Sequence, residues 1–220
     1  MRRRWPIAAA LLAAGAGAAV LSRGRLERAL RDLRTFSAPS AAVYDALASP
    51  ALDGFFTRVA LDLVDGRPGA RVLEVGSGPG RLASRIAELD RDARVVGSDV
   101  SPEMLARASA WAERSGVADR VRFVLADASL LPFADASFDA VVTTFSLHHW
   151  PDAARGLREV RRVLRPRGVA RIYDVADWLT RVEPGGNTVL GNELFVDGWG
   201  RRIDARLGPV PLLYRADLTV

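Results

Sequence analysis

The chain has 220 residues, 49% hydrophobic and 26% charged, with no cysteine and a formal net charge of +5. That suits one domain with a full core and a short appendage, and it excludes wholesale disorder, a disulfide framework, a thiolate zinc site and a cysteine nucleophile. All 31 basic residues are arginine; most are scattered along amphipathic segments and read as solvated helix faces, which argues against a nucleic-acid partner.

Residues 1–34 stand apart from a domain over residues 35–220. Arg2, Arg3 and Arg4 precede an apolar run rich in alanine and glycine, and Arg23, Arg25, Arg28, Arg31 and Arg34 follow it. From Ile7 to Leu21 the run spans about 22 Å as a helix, short of the roughly 30 Å hydrocarbon core. A short anchor or interfacial helix over residues 5–22, a cleaved signal and a plain helix are the three readings. The heavier arginine flank after the run favours the domain on the cytoplasmic side, anchored or soluble.

Residues 35–65 predict one or two helices, in which Tyr44, Phe55 and Phe56 form either a lid over a ligand or the core of a helical layer. ARVLEV (70–75) is a short, aliphatic, buried strand, and a helix with Leu82, Ile86 and Leu89 on one face follows its glycines. RVVGSD (94–99) is the second strand. Ser101 caps the next helix, with Pro102 at its first position, Glu103 in its first turn and Gly116 past its end. VRFVLAD (121–127) and FDAVVTTF (138–145) are strands three and four. A helix through Leu157, Val160 and Leu164 stops at a turn, Arg165-Pro166-Arg167-Gly168, before a fifth strand, VARIYDV (169–175). The last stretch reads as a strand pair joined at Gly208-Pro209. This alternation predicts an α/β, Rossmann-like, seven-stranded and mostly parallel sheet, helices on both faces, and a C-terminal antiparallel pair.

In such a sheet ligands sit past the carboxyl ends of the strands, where strand order reverses, and Gly76, Gly78 and Gly80 fall there. Their spacing is G-x-G-x-G; Arg81 stands where the dinucleotide fingerprint needs its third glycine, and a phosphate loop would need a lysine the chain lacks. Asp99, ending strand two, is placed to accept hydrogen bonds from both hydroxyls of a ribose. A ribose without a pyrophosphate points to adenosine with an uncharged linker.

Glu74-x-Gly76-x-Gly78-x-Gly80, the strand end at Asp99, Ala126-Asp127-Ala128 and PFADASFDAVVTTFSLHHWPD together resemble a class I S-adenosylmethionine-dependent methyltransferase. The likeness is to the small-molecule branch that includes quinone-biosynthesis C-methyltransferases. It implies S-adenosylmethionine as cofactor and a small-molecule, lipid or quinone-like acceptor. By position it implies that Gly76, Ser77, Gly78 and Gly80 wrap the methionine portion, and that Glu74 orients the loop or meets the ligand's amino group. It places Asp99 on the ribose, Val100 and Met104 by the adenine, Asp127 and Ala128 on the adenine edge, and Phe145 on the sulfonium side. His148 and His149, the chain's two histidines, follow strand four; the expectation is that one of them, His148 before His149, touches the acceptor or takes its proton. No metal is expected. The alternatives are an RNA methyltransferase, for which no RNA-binding module is visible, and a non-catalytic protein that binds the cofactor.

Overall fold

A computed structural model describes residues 50–175, 200–207 and 210–219. The apolar run near the N-terminus and Tyr44 lie outside them. No helix among the described residues is long and apolar enough to cross a membrane. The chain forms two compact units, residues 1–59 and 60–220. In the first, Phe55 and Phe56 are buried and meet edge to face, with ring centroids 5.5 Å apart, which fits the helical-layer reading of that pair.

The elements run in chain order as α1 (Pro50–Val64), β1 (Arg71–Val75), α2 (Arg81–Leu89), β2 (Arg94–Asp99), α3 (Pro102–Arg114), β3 (Val121–Leu125) and β4 (Phe138–Thr144). A 3₁₀ turn over Leu147–His149 leads to α4 (Ala153–Val163), β5 (Leu164–Val175), β6 (Gly200–Leu207) and β7 (Val210–Thr219). The sheet order is β3-β2-β1-β4-β5-β7-β6. β1 pairs in parallel with both β2 and β4, while β7 pairs antiparallel with β5 and with β6. The mostly parallel sheet with a C-terminal antiparallel pair is therefore present. Because the chain builds β1, β2 and β3 outward and then returns to place β4 on the other side of β1, a crevice opens between the carboxyl ends of β1 and β4.

Local chemistry explains the helix ends. Ser101 Oγ accepts from Met104 N at 3.3 Å and Pro102 holds the first position of α3, while Gly116 (φ 67°) turns the chain away beyond it. Asp152 caps α4 by accepting from Arg155 N at 2.8 Å. The apolar face of α4, Leu157, Val160 and Val163, packs with Leu73, Val75, Val141 and Ile172 of the sheet in one buried core; each such side chain contributes roughly 1.5–3 kcal/mol on burial. On the opposite face of the sheet, Arg215 forms a bidentate pair with Asp217 at 2.6 and 2.7 Å and reaches Asp62 of α1 at 3.2 Å. Arg171 donates to the Asp62 carbonyl, so the end of α1 is tied to β5 and β7.

Two boundaries differ from expectation: β3 ends at Leu125, before Asp127, and β5 opens at Leu164, before Val169. Leu164 caps the end of α4 and at once opens β5, paired with Phe138, and the next pair is Ala140 with Val169. The extra residues bulge out at Arg165-Pro166-Arg167-Gly168, where Arg167 takes φ 66°. The predicted turn is thus a bulge inside a longer strand.

Candidate active site

The glycine turn is folded tightly on itself. Gly76 N and Ser77 N both donate to the Ser98 carbonyl, at 2.8 and 2.9 Å, and Gly80 N donates to the Ser77 carbonyl at 3.0 Å. Gly78 N donates to Asp99 Oδ2 at 2.8 Å, and Pro79 has no N–H. Every N–H of these five residues is engaged within the protein, so the turn has none to offer a diphosphate. Gly80 takes φ 76°, and a Cβ there would lie 2.7 Å from the Phe123 ring and 2.8 Å from Ala108 Cβ; glycine lets α2 close onto α3 and β3. A Cβ on Gly78 would meet nothing within 4 Å, which makes it the open side of the turn. The Ser77 side chain is buried and turns inward, its Cβ 2.9 Å from where one on Gly97 would stand.

Two carboxylates flank the turn. Glu74 is 2% exposed, and its Oε2 accepts from Ala83 N at 2.9 Å in the first turn of α2. Burial pushes its carboxyl well above the ordinary range; the Ala83 bond opposes this and the charge of Asp99 adds to it. The Ala83 bond joins the end of β1 to the first turn of α2, on either side of the glycine turn. Asp99 uses Oδ2 for Gly78 N and Oδ1 for Ser101 N at 2.9 Å, and each oxygen keeps a lone pair for a further donor. Arg81 lies over the Trp111 ring, 4.5 Å from its centroid. A turn with engaged N–H groups and two neighbouring carboxyls fits a cationic sulfonium and a neutral ribose, and disfavours a dianionic linker.

Around this centre, Ala126 N donates to the Asp99 carbonyl at 3.0 Å, bringing the end of β3 to that of β2. Val100 there is 66% exposed, and Leu125 and Leu130 are exposed as well. These two leucines were not expected there; an apolar residue at a strand's carboxyl end is the signal that could have found Leu125, whereas Leu130 lies beyond β3 and carried none. Met104 and Ala128 are buried. Asp127 is exposed and accepts from Ser129 N at 2.7 Å, a bond that holds its carboxyl below the usual range.

Across the crevice, β4 ends at Thr144 and is followed by Phe145, whose φ is 54° and whose N donates to the Tyr173 carbonyl at 2.8 Å. The chain then enters the 3₁₀ turn carrying both histidines. His148 Nδ1 lies 2.6 Å from Asp174 Oδ1, and His148 N donates to Asp174 Oδ2 at 3.0 Å. Asp174 is fully buried near the end of β5, whereas the His148 side chain is 18% exposed. The carboxylate selects the tautomer with the proton on Nδ1, which leaves the Nε2 lone pair free to accept. Sequence reading missed Asp174, whose partner lies 26 residues upstream.

The His149 ring lies against that of His148, with centroids 3.8 Å apart and the planes tilted by 45°. Burial first, and the charge of His148 second, push it from 6.5 down to about 4, against a raising effect of Asp174. Between those two values the unfolded chain binds a proton that the folded chain does not. The resulting stability is fully present above about pH 6.5 and is lost as the pH falls toward 4. In thermal melts at pH 7 and pH 5, the drop in Tm is expected to be smaller for His149→Asn than for the parent.

A Rossmann-like sheet with a glycine turn and a carboxylate at its switch point defines a nucleotide- or nucleoside-binding class of protein. Residues 73–172 match the family described as a methyltransferase domain. The chain is 40% identical over 131 residues to a demethylmenaquinone methyltransferase of Thermus thermophilus, covering 60% of this chain and 59% of that one. It is 44% identical over 108 residues to 27-O-demethylrifamycin SV methyltransferase of Amycolatopsis mediterranei, covering 49% and 39%. It thus spans less than two thirds of the length of either relative. The solved structure of a SAM-dependent methyltransferase from Aquifex aeolicus matches with a TM-score of 0.65 at 20% identity, over 82% of this chain and 98% of that one, a likeness of fold. Over residues 73–172 the chain is thus similar to methyltransferases that act on small molecules, and its fold is that of a SAM-dependent methyltransferase.

Proposed function

We propose that the protein transfers a methyl group to a hydroxyl or an acidic carbon of a small, largely apolar acceptor, with His148 as general base. The observation that carries this reading is the His148–Asp174 pair at 2.6 Å, at the carboxyl ends of β4 and β5. Two relatives point the same way: one is named for an O-demethyl substrate and the other for a demethylated quinone.

When bound, S-adenosylmethionine supplies an electrophilic methyl group on a sulfonium whose leaving group is a neutral thioether. The chain's residues therefore need to align, exclude water and manage one proton. The glycine turn holds the methionine end and Asp99 the ribose, and Glu74 keeps the turn in register with α2. Asp174 holds the His148 proton on Nδ1, and Nε2 receives the proton that the acceptor's hydroxyl or carbon gives up. His149, neutral near pH 7, backs the His148 ring without competing for that proton. The apolar surface of Val100 and Leu125 lies at the carboxyl ends of β2 and β3, on the nucleoside side.

The test is incubation of the full chain with methyl-labelled S-adenosylmethionine and, in parallel, lipid, aqueous and RNA extracts of its host. Label in a lipid or other small-molecule fraction, lost in His148→Gln, supports the reading. Label in RNA alone, or no transfer at all while S-adenosylhomocysteine still binds, overturns it. Label confined to the lipid fraction would also fit the anchor expected at residues 5–22.

A further inference from the structure

The segment between Phe145 and Trp150 is held at more points than its length requires. Ser146 sits against the glycine turn: a Cβ on Gly76 would fall 1.9 Å from Ser146 Oγ and 2.5 Å from Ser146 Cβ. Gly76 takes φ 70°, so the absent side chain and the left-handed backbone together admit Ser146. The same Ser146 Oγ accepts from Trp150 Nε1 at 3.0 Å. The far edge of the indole occupies the space over Gly156 of α4, where a Cβ would meet Trp150 Cε3 at 2.5 Å and Cζ3 at 2.7 Å. Between these two residues the turn is closed by His149 N to the Ser146 carbonyl, at 2.9 Å, and Trp150 N to the Leu147 carbonyl, at 3.0 Å. Leu147 is buried in the core, and His148 is tied to Asp174.

These contacts form one continuous path from α4 through the Trp150 ring and Ser146 to the backbone of Gly76. His148 stands within the loop that the Trp150–Ser146 bond closes. We propose that Trp150 is a positioning residue: its indole N–H locks Ser146 against Gly76, so that the turn carrying His148 and the turn gripping the methionine end of the cofactor move as one body. Its consequence for catalysis rests on the reading of His148 as base, but the coupling itself does not. The left-handed Phe145 just before the segment, a conformation that costs a non-glycine residue free energy, is held to β5 by its N–H bond to the Tyr173 carbonyl.

The test uses Trp150→Phe, which keeps an aromatic ring at this position while removing the donor and part of the ring volume, and Ser146→Ala, which removes only the acceptor. Each is expected to weaken S-adenosylhomocysteine binding about three- to tenfold, the effect of one buried hydrogen bond. The double variant should bind no more weakly than the worse single one. With two histidines in the chain, ¹⁵N-imidazole spectra resolve His148 by comparison with His148→Gln. In the parent its signals should shift when S-adenosylhomocysteine is added, and in both single variants saturated with ligand that shift should shrink. Parent-like affinity in both variants, additive losses in the double variant, or an unchanged His148 response would each overturn the proposal. A parent that shows this coupling while His148→Gln turns over normally would leave it standing and remove the base reading instead.

Discussion

Asp174→Asn is expected to lower turnover about 10²- to 10⁴-fold while leaving S-adenosylhomocysteine affinity within about twofold. The carboxylate accepts twice from one residue, from His148 N and from Nδ1. An asparagine can keep its oxygen on the backbone N–H, but its amide nitrogen then faces Nδ1 and donates. That reverses the imidazole: Nδ1 becomes the acceptor, the proton moves to Nε2, and the lone pair that should take the acceptor's proton is gone. The glycine turn and Asp99 are bonded to β2 and α2 rather than to this pair, so the cofactor should still bind. Single-turnover rates and calorimetric titration separate the two quantities. Normal turnover in Asp174→Asn would mean that no proton passes through His148. Because a buried carboxylate is also being neutralised, a melt of the variant is the control; a fold lost altogether is answered by His148→Gln, which leaves Asp174 in place.

What could be read in advance followed from how local each signal is. β1 and β2 are short, buried and bounded by turn residues, and their limits match expectation within a residue. Glu74, the glycines and Asp99 lie within 26 positions and were legible as one pattern. LRPRG misled because its local chemistry is that of a turn: Pro166 lacks a donor and Arg167 adopts a left-handed φ. The partner that makes Leu164 a strand residue, Phe138, is on another element. Asp174 was hidden for the same reason, since an acid near the end of VARIYDV looks like the solvated tip of a strand. Only the placement of β5 beside β4 shows it buried under His148. Trp150 and Ser146 stand four apart in a segment with no helical periodicity, so their spacing carried no message.

The cofactor end offers the other large effect. Asp99→Ala should weaken S-adenosylhomocysteine binding about 100-fold, and Asp99→Asn about tenfold. Charge-assisted hydrogen bonds contribute roughly 1.5–3 kcal/mol each, and 1.4 kcal/mol corresponds to about tenfold in affinity. Alanine loses any contact to the ribose and also strips the acceptor from Gly78 N and Ser101 N, freeing the turn that must meet the ligand. Asparagine keeps one acceptor oxygen and loses the charge. Adenosine, which has the ribose but neither sulfur nor amino acid, distinguishes the two causes. If Asp99 acts through the sugar, adenosine and S-adenosylhomocysteine should lose affinity by the same factor in Asp99→Asn. If it acts by ordering Gly78 against the methionine portion, adenosine should be nearly indifferent. Equal affinity of parent and Asp99→Ala for both ligands would remove Asp99 from the site. The parent should show no comparable affinity for a nicotinamide dinucleotide, because no N–H from Gly76 to Gly80 is left to receive its diphosphate.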